Sequence, residues 1–247
     1  MSLTATELER YGRQMMMAGW GERTQLKLKA STVFVAGAGG LGSPVCIYLA
    51  VAGVGHLRVC DHDTPEMSNL NRQILHDSSR VGTNKAVSAK ASLRALNPDV
   101  EVAALTDSIN VQNVDTLVGD ADVIVDCMDN FETRYLLNES ALRKRIPLVH
   151  GAVWGLDGRL AFIRAPETPC LRCMVPEAPP SEVFPVLGAT PGVIGTLQAL
   201  ETVKYLTGIG QPLSGELLAW EGARMRFVKL RFERDPSCPV CSAVSAG

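Results

Sequence analysis

The stretch VFVAGAGGLGSP, residues 33–44, constrains this chain more than any other part of it. A continuous apolar run enters Gly37-Ala38-Gly39-Gly40-Leu41-Gly42, which fits G-x-G-x-x-G, and a helical pattern with Pro44 in its first turn follows. Strand, glycine turn and helix in that order bring backbone N–H groups and a positive helix end to one point, where a phosphate can approach. The turn serves NAD, FAD and ATP alike, so it fixes an architecture before it fixes a ligand. Asp61 ends the next strand-like run, where an acid that accepts a ribose hydroxyl belongs. Read alone, the two features suggest a nicotinamide-dependent oxidoreductase.

The alternation continues downstream. HLRVCD reads as a strand, TNKAVSAKASLRALN as a helix stopped by Pro98, and VEVAAL as a strand. DVIVDCMD and PLVHGAV are apolar strands separated by the helical pattern FETRYLLNESALRKR. Continuously apolar strands in βαβα order predict a mostly parallel, Rossmann-like sheet covered by helices on both faces. Beyond about residue 158, GRLAFIRA, GELLAWEG and MRFVKLRF read as strands with glycine-containing turns, an antiparallel extension of the sheet. GVIGTLQALETVKYLTG between them reads as a helix ending at Gly208, and PEAPPSEVFPVLGATP as a mobile loop. At the N-terminus, Thr4 and Glu7 have capping-box spacing ahead of an apolar stripe of Leu8, Tyr11 and Met15. With no repeat or low-complexity linker, residues 1–247 read as one domain: an N-terminal helical segment (1–30), a nucleotide-binding half (31–155) and a C-terminal half (156–247).

A net charge of −2 without a basic tail gives no reason to expect nucleic acid or an anionic membrane as partner. The N-terminal residues lack a signal-peptide core, and no apolar run approaches a membrane span, so a cytoplasmic location is expected. Of the seven cysteines, Cys46, Cys60 and Cys127 lie in apolar runs and read as small buried hydrophobes. Cys170, Cys173, Cys238 and Cys241 form two C-x-x-C pairs, the four thiolates of a closed structural zinc site. A redox role is the rival, but neither pair opens a helix after a thioredoxin-like strand. Such a site offers the metal no open position for catalysis.

The segment DHDTPEMSNLNRQ is polar beyond what a dehydrogenase requires, with Asn69, Arg72 and Gln73 close together and Lys85 opening the following helix. Two cations beside a phosphate-binding turn suit a triphosphate. Asp129 follows an apolar strand at its carboxyl end, where it suits Mg²⁺ shared with phosphate oxygens or, equally, a helix N-cap. None of the four histidines has a nameable partner, and each reads as a surface or satisfied-core residue.

Together these segments resemble the ThiF/MoeB/HesA family of E1-like adenylyltransferases, which activate ubiquitin-like sulfur carriers. The resemblance rests on RYGRQ (10–14), GAGGLGSP (37–44), DHDTPEMSNLNRQ (61–73), GTNKA (82–86), DCMDNFETRYLLN (126–138), both cysteine pairs and GVIGTLQALETVKYLTG (192–208). It implies ATP as substrate, held by Gly37, Gly39, Gly40, Asp61, Ser68, Asn69, Arg72, Lys85, Asp129 and Asn130. It also implies Mg²⁺ on Asp129, a homodimer in which Arg13 reaches the partner's ATP, and a catalytic set of Arg13, Arg72, Lys85 and Asp129. The implied reaction is attack by a carrier's C-terminal Gly-Gly carboxylate on the α-phosphate, giving an acyl-adenylate and pyrophosphate. That carboxylate is ionised near neutral pH, so the chemistry needs no general base.

One departure from the family matters. Many members carry a cysteine in the loop after the first C-x-x-C pair, whereas here Ser181 stands near that place and no cysteine lies between Cys173 and Cys238. A covalent carrier–enzyme step is therefore not expected, and a separate sulfur donor is. A non-catalytic nucleotide-binding scaffold for a carrier is the second reading, and the oxidoreductase a distant third.

Overall fold

The apolar runs form the strands of one sheet in a computed structural model that describes residues 2–180 and 183–243. Strands β1 (Thr32–Ala36), β2 (His56–Cys60), β3 (Glu101–Leu105), β4 (Val123–Asp126) and β5 (Leu148–Trp154) run parallel. Strands β6 (Asp157–Ile163), β7 (Glu216–Glu221) and β8 (Arg226–Arg231) continue the sheet antiparallel. The order is β3-β2-β1-β4-β5-β6-β7-β8. All eight strands match runs read as strands in the sequence.

The period of two explains why the central parallel strands are apolar at most positions on both faces. On β1, Val33 and Val35 enter one core while Phe34 and Ala36 enter the other, and Val123 and Val125 oppose Ile124 on β4 in the same way. The first face is covered by helices α2 (Gly21–Ala30), α3 (Gly42–Ala52), α4 (Lys85–Leu96) and α8 (Ala189–Thr207). The second carries α5 (Val114–Val118), α6 (Phe131–Lys144) and the short α7 (Leu171–Met174), together with the four cysteines of the C-x-x-C pairs.

Helix α1 (Ala5–Met15) begins with the expected capping box: the Glu7 N–H donates to Thr4 Oγ1 at 3.2 Å, and the Thr4 N–H to Glu7 Oε2 at 2.8 Å. The N-terminal segment holds a second helix, α2, that has no clear sequence signature. Its buried residues are Thr24, Gln25 and Leu28, so most of its inward face is polar and the 3.6-residue apolar period is missing. Gln25 compensates with hydrogen bonds: it accepts from Trp20 Nε1 (3.0 Å) and donates to the Ala52 carbonyl (3.0 Å). Both helices are thereby pinned to the C-terminal end of α3. There Gly53, at φ +89°, leaves room for the Tyr11 ring, which a Cβ would meet at 2.6 Å.

Helix α8 is the longest element and packs against α3, β5 and β6. It ends at Gly208 with φ +76°, the left-handed stop read from the sequence. Ahead of it, the proline-rich segment is tied down at two points: Val186 bridges to Gly155, and the Phe184 ring stacks on Trp154 at 5.8 Å. Ser181 lies outside the described residues.

Candidate functional site

The winding of the sheet reverses between β1 and β4. From β1 the sheet grows outward to β2 and β3, and from β4 outward to β5. In an open parallel sheet the carboxyl ends of such a strand pair open a crevice, and helices α3, α4 and α6 all start along that edge with their positive ends. Gly37–Gly42, Asp61, Lys85 and Asp129 all lie on this edge, each just past β1, β2 or β4 or at the start of a helix. The fold thus brings together residues that are up to 92 positions apart in the sequence, from Gly37 to Asp129.

Glycine is required at two positions of the turn by the closeness of the backbone. Gly37 has φ +96° and its ideal Cβ would lie 2.8 Å from the Cys127 carbonyl oxygen, while a Cβ on Gly42 would lie 1.9 Å from Gly37 O. The turn is held from two sides. Asp61 Oδ2 accepts the Ala38 N–H at 2.8 Å, and His76 Nε2 meets the Ala38 carbonyl at 2.9 Å. His76 is buried with Nδ1 2.8 Å from Ser88 Oγ, and burial holds its pKa below the usual imidazole value. Asp61 Oδ1 accepts the Asp63 N–H (2.9 Å); each carboxylate oxygen keeps a further acceptor site for a ligand hydroxyl.

The cations are placed by the same loops. Asn84 caps α4 through the N–H groups of Ala86 and Val87, and its own amide donates to the carbonyls of Asp61 (2.9 Å) and Asp63 (3.2 Å). Lys85 is buried, with Nζ 3.2 Å from Asp63 Oδ2. Ser68 and Asn69 lie in a single helical turn (Met67–Asn69) that ends just before Arg72. Arg72 Nη1 donates to the Ser68 carbonyl and to Asn71 Oδ1, both at 3.0 Å. An ideal Cβ on Gly40 would stand 3.4 Å from Pro191 and 3.5 Å from Arg72 Cγ, so the start of α8 and the Arg72 stem border the glycine turn.

Asp129 is exposed at the head of α6. Of its two possible duties, the cap falls to its neighbour: Asn130 Oδ1 accepts the Thr133 N–H at 2.9 Å. Arg13 is the one expected site residue that the fold does not bring to the crevice. It is exposed on α1, which is fixed to the far end of α3 by Gln14 Nε2 donating to the Ala52 carbonyl at 2.7 Å. The length of α3, about 15 Å, separates that point from the glycine turn.

Sequence reading missed a buried polar group beneath Asp129: Asp126, Arg134, His150 and Gln198. Asp126 and His150 sit inside apolar runs, and only a charged or imidazole residue within a continuous strand could have flagged them. His150 Nδ1 lies 2.6 Å from Asp126 Oδ2. Of the other two histidines, His56 is half-buried beside Glu101 and His62 exposed beside Asp63, each pair at 3.2 Å.

On the opposite face, the four C-x-x-C sulfurs converge from positions up to 71 apart in the sequence. Cys170 Sγ lies 3.8 Å from Cys173 Sγ and 3.6 Å from Cys238 Sγ, and Cys173 Sγ lies 3.5 Å from Cys241 Sγ. All four are mutually within 4.8 Å. Sulfurs about 2.3 Å from a central zinc ion form a tetrahedron with edges of about 3.8 Å, so the cluster fits the metal and could hold it. Cys46, Cys60 and Cys127 are buried as expected, and burial pushes the first two thiols up to about 12 and the third well above its ordinary value.

Fold and crevice define a doubly wound α/β protein whose switch point suits an anionic nucleotide. The chain belongs to the ThiF family, whose model matches residues 11–240. It is 45% identical over 243 residues to heterocyst protein HesA of Trichormus variabilis, covering 98% of this chain and 91% of that protein. It is 45% identical over 247 residues to the SAMP-activating enzyme E1 of Haloferax volcanii (98% and 91% covered). It is also 43% identical over 252 residues to the sulfur carrier protein adenylyltransferase of Thermus thermophilus (98% and 93% covered). With these relatives the chain is an adenylyltransferase. A crystal structure of E. coli MccB shares the fold, with TM-score 0.87 at 23% identity over 95% of this chain and 74% of that one. Among the described residues, no helix is long and apolar enough to cross a membrane.

Proposed function

We propose that this protein adenylylates the C-terminal Gly-Gly carboxylate of a ubiquitin-like sulfur carrier of the ThiS or MoaD type, consuming ATP and releasing pyrophosphate. One observation carries the reading: the glycine turn, Asp61, Arg72, Lys85 and Asp129 share one sheet edge, and Asn130 relieves Asp129 of capping α6.

In this reading the N–H groups of Gly39 and Gly40 and the α3 terminus face phosphate oxygens, and Asp61 receives the ribose hydroxyls. Arg72 and Lys85, with Ser68 and Asn69 beside them, neutralise the triphosphate. Asp129 holds Mg²⁺, which supplies charge neutralisation at the phosphates when bound. The carrier carboxylate and the α-phosphorus are both anionic, so the protein's work is to hold them together and to stabilise charge that moves onto the leaving pyrophosphate. Arg13, remote from its own crevice, completes the site of a partner subunit in a homodimer. The chain acts as one cytoplasmic domain, its C-terminal half receives the carrier, and a structural Zn²⁺ on Cys170, Cys173, Cys238 and Cys241 secures the tail. A separate sulfur donor takes over the adenylate.

The test is exchange of labelled pyrophosphate into ATP with a panel of ThiS-type and MoaD-type carriers ending in Gly-Gly. Exchange that requires a carrier and disappears in Arg72→Ala supports the reading. Carrier binding without exchange would leave a nucleotide-binding scaffold in its place.

A further inference from the structure

The backbone of Met128, the residue before Asp129, is held at both its N–H and its carbonyl by buried side chains. Asp126 Oδ1 accepts the Met128 N–H at 3.0 Å, and Arg134 Nη2 donates to the Met128 carbonyl at 2.6 Å. Arg134 reaches down from α6, also donates to the Gly151 carbonyl (3.4 Å), and carries its guanidinium 4.8 Å from the Phe131 ring centre. From the other face, Gln198 on α8 donates to the carbonyls of Asp126 (2.7 Å) and Val149 (3.1 Å). The backbone leading to Asp129 is thus fixed by groups from β4, β5, α6 and α8.

The grip depends on how the Asp126 carboxyl plane is turned. Its Oδ1 faces Met128, so its Oδ2 must be anchored for that orientation to persist. Arg134 Nε is 3.8 Å from Oδ2, too far for a hydrogen bond. His150 Nδ1, at 2.6 Å, makes the hydrogen bond to Oδ2 found among the described residues. Asp126 and His150 are register partners on β4 and β5, so the contact is set by strand pairing. Gln198 occupies the space above Gly151, where a Cβ would come within 2.4 Å of it, which closes this polar pocket from the α8 side.

We propose that His150 is a positioning residue: through Asp126 and the Met128 peptide it sets where the Asp129 carboxylate points. The inference rests on the reading of Asp129 as the Mg²⁺ ligand. Mg²⁺ demands near-octahedral geometry at about 2.0–2.1 Å from its oxygens, so a small rotation of that carboxylate weakens binding steeply. A network that merely filled the core would contribute to folding and leave the Mg²⁺ requirement alone.

The full-length protein is titrated with Mg²⁺ in the presence of α,β-methylene-ATP, and nucleotide affinity is read by calorimetry. In His150→Phe, half-saturating Mg²⁺ rises about 10-fold, the lower end of the range for residues supporting a metal ligand, while Mg²⁺-free nucleotide affinity stays within about twofold. His150→Asn, whose amide N–H replaces Nδ1, recovers most of the change; His150→Gln, which reaches the Nε2 position, does not. In Asp129→Asn/His150→Phe the His150 substitution adds nothing to the loss from Asp129→Asn. An unchanged Mg²⁺ requirement in folded His150→Phe overturns the proposal, as does an equal loss of Mg²⁺-free affinity. If the Phe variant does not fold, the Asn–Gln pair decides, and equal behaviour of the two overturns it. Asp129→Asn alone reports on the underlying reading: an unaltered Mg²⁺ requirement there removes the metal from Asp129, whereas a large effect with a silent His150→Phe removes only His150.

Discussion

Asn130 Oδ1 accepts the Thr133 N–H at 2.9 Å, and Asp129 stands one residue outside that cap with an exposed carboxylate. Adjacent residues of similar size therefore carry separable duties. Asn130→Ala removes the cap and costs about 1 kcal/mol of stability, a loss of about 2–4 °C in Tm for a chain of this length. Asp129→Asn leaves stability within about 0.5 kcal/mol and lowers pyrophosphate exchange by about 100-fold or more. Thermal melts and exchange assays on both variants check this. A large stability loss in Asp129→Asn with exchange intact would reverse the assignment.

His76 links the glycine turn to pH. Its Nε2 meets the Ala38 carbonyl and its Nδ1 meets Ser88 Oγ, and burial depresses its pKa. Because the folded value lies below the unfolded one of about 6.5, the unfolded chain takes up the proton first as pH falls. The contribution of His76 to stability is therefore complete above about pH 6.5 and is lost as pH falls toward the depressed folded value, at up to about 1.4 kcal/mol per pH unit. His76→Gln can still donate to Ala38 from the Nε2 position but does not titrate. Denaturation at pH 7.5 and 5.5 should show the wild type losing stability relative to His76→Gln. Parallel curves would mean that the turn does not sense the proton.

Legibility in the sequence followed burial. Strands buried on both faces are apolar at nearly every position, so β1, β4 and β5 could be read as runs, β2 and β3 kept enough apolar residues to be read with them, and Gly37 through Asp129 fell into order behind them. Helix α2 could not be read, because Thr24 and Gln25 face inward and are satisfied by hydrogen bonds instead of apolar contact. Whether Asp129 or Asn130 caps α6 was equally hidden, since either residue type serves. The Asp126–His150 contact needed the register of β4 against β5, which depends on residues 24 apart and on no local pattern.

The cysteines bear on the fate of the adenylate. No cysteine lies between Cys173 and Cys238, Cys46, Cys60 and Cys127 are buried with raised thiol pKa values, and the remaining four face one another. On the proposed function, a carrier tail would therefore meet no free nucleophilic thiolate in the crevice. Intact mass spectrometry after incubation with ATP, Mg²⁺ and carrier should find carrier adenylate and unmodified enzyme. An enzyme–carrier adduct that dithiothreitol removes would restore a covalent step.

The cysteine cluster does more than close the C-terminal tail on itself. Asn138 of α6 accepts the Leu171 N–H at 2.9 Å, and Tyr135 donates its hydroxyl to the Val175 carbonyl at 3.0 Å, with the Arg172 guanidinium 3.4 Å from its ring centre. These contacts join the first C-x-x-C turn to the helix that begins beside Asp129. With a metal at its centre, the cluster anchors the base of the second core through Cys170, Leu171, Cys238 and Cys241. Elemental analysis should therefore find one zinc per chain. Cys238→Ser should lower zinc occupancy and cost about 3 kcal/mol or more, a fall of about 10 °C in Tm. Cys60→Ser, buried in the same core but outside the cluster, should keep its zinc. Full zinc in Cys238→Ser, or none in the wild type, would exclude the tetrahedral assignment and leave the four thiols to another chemistry.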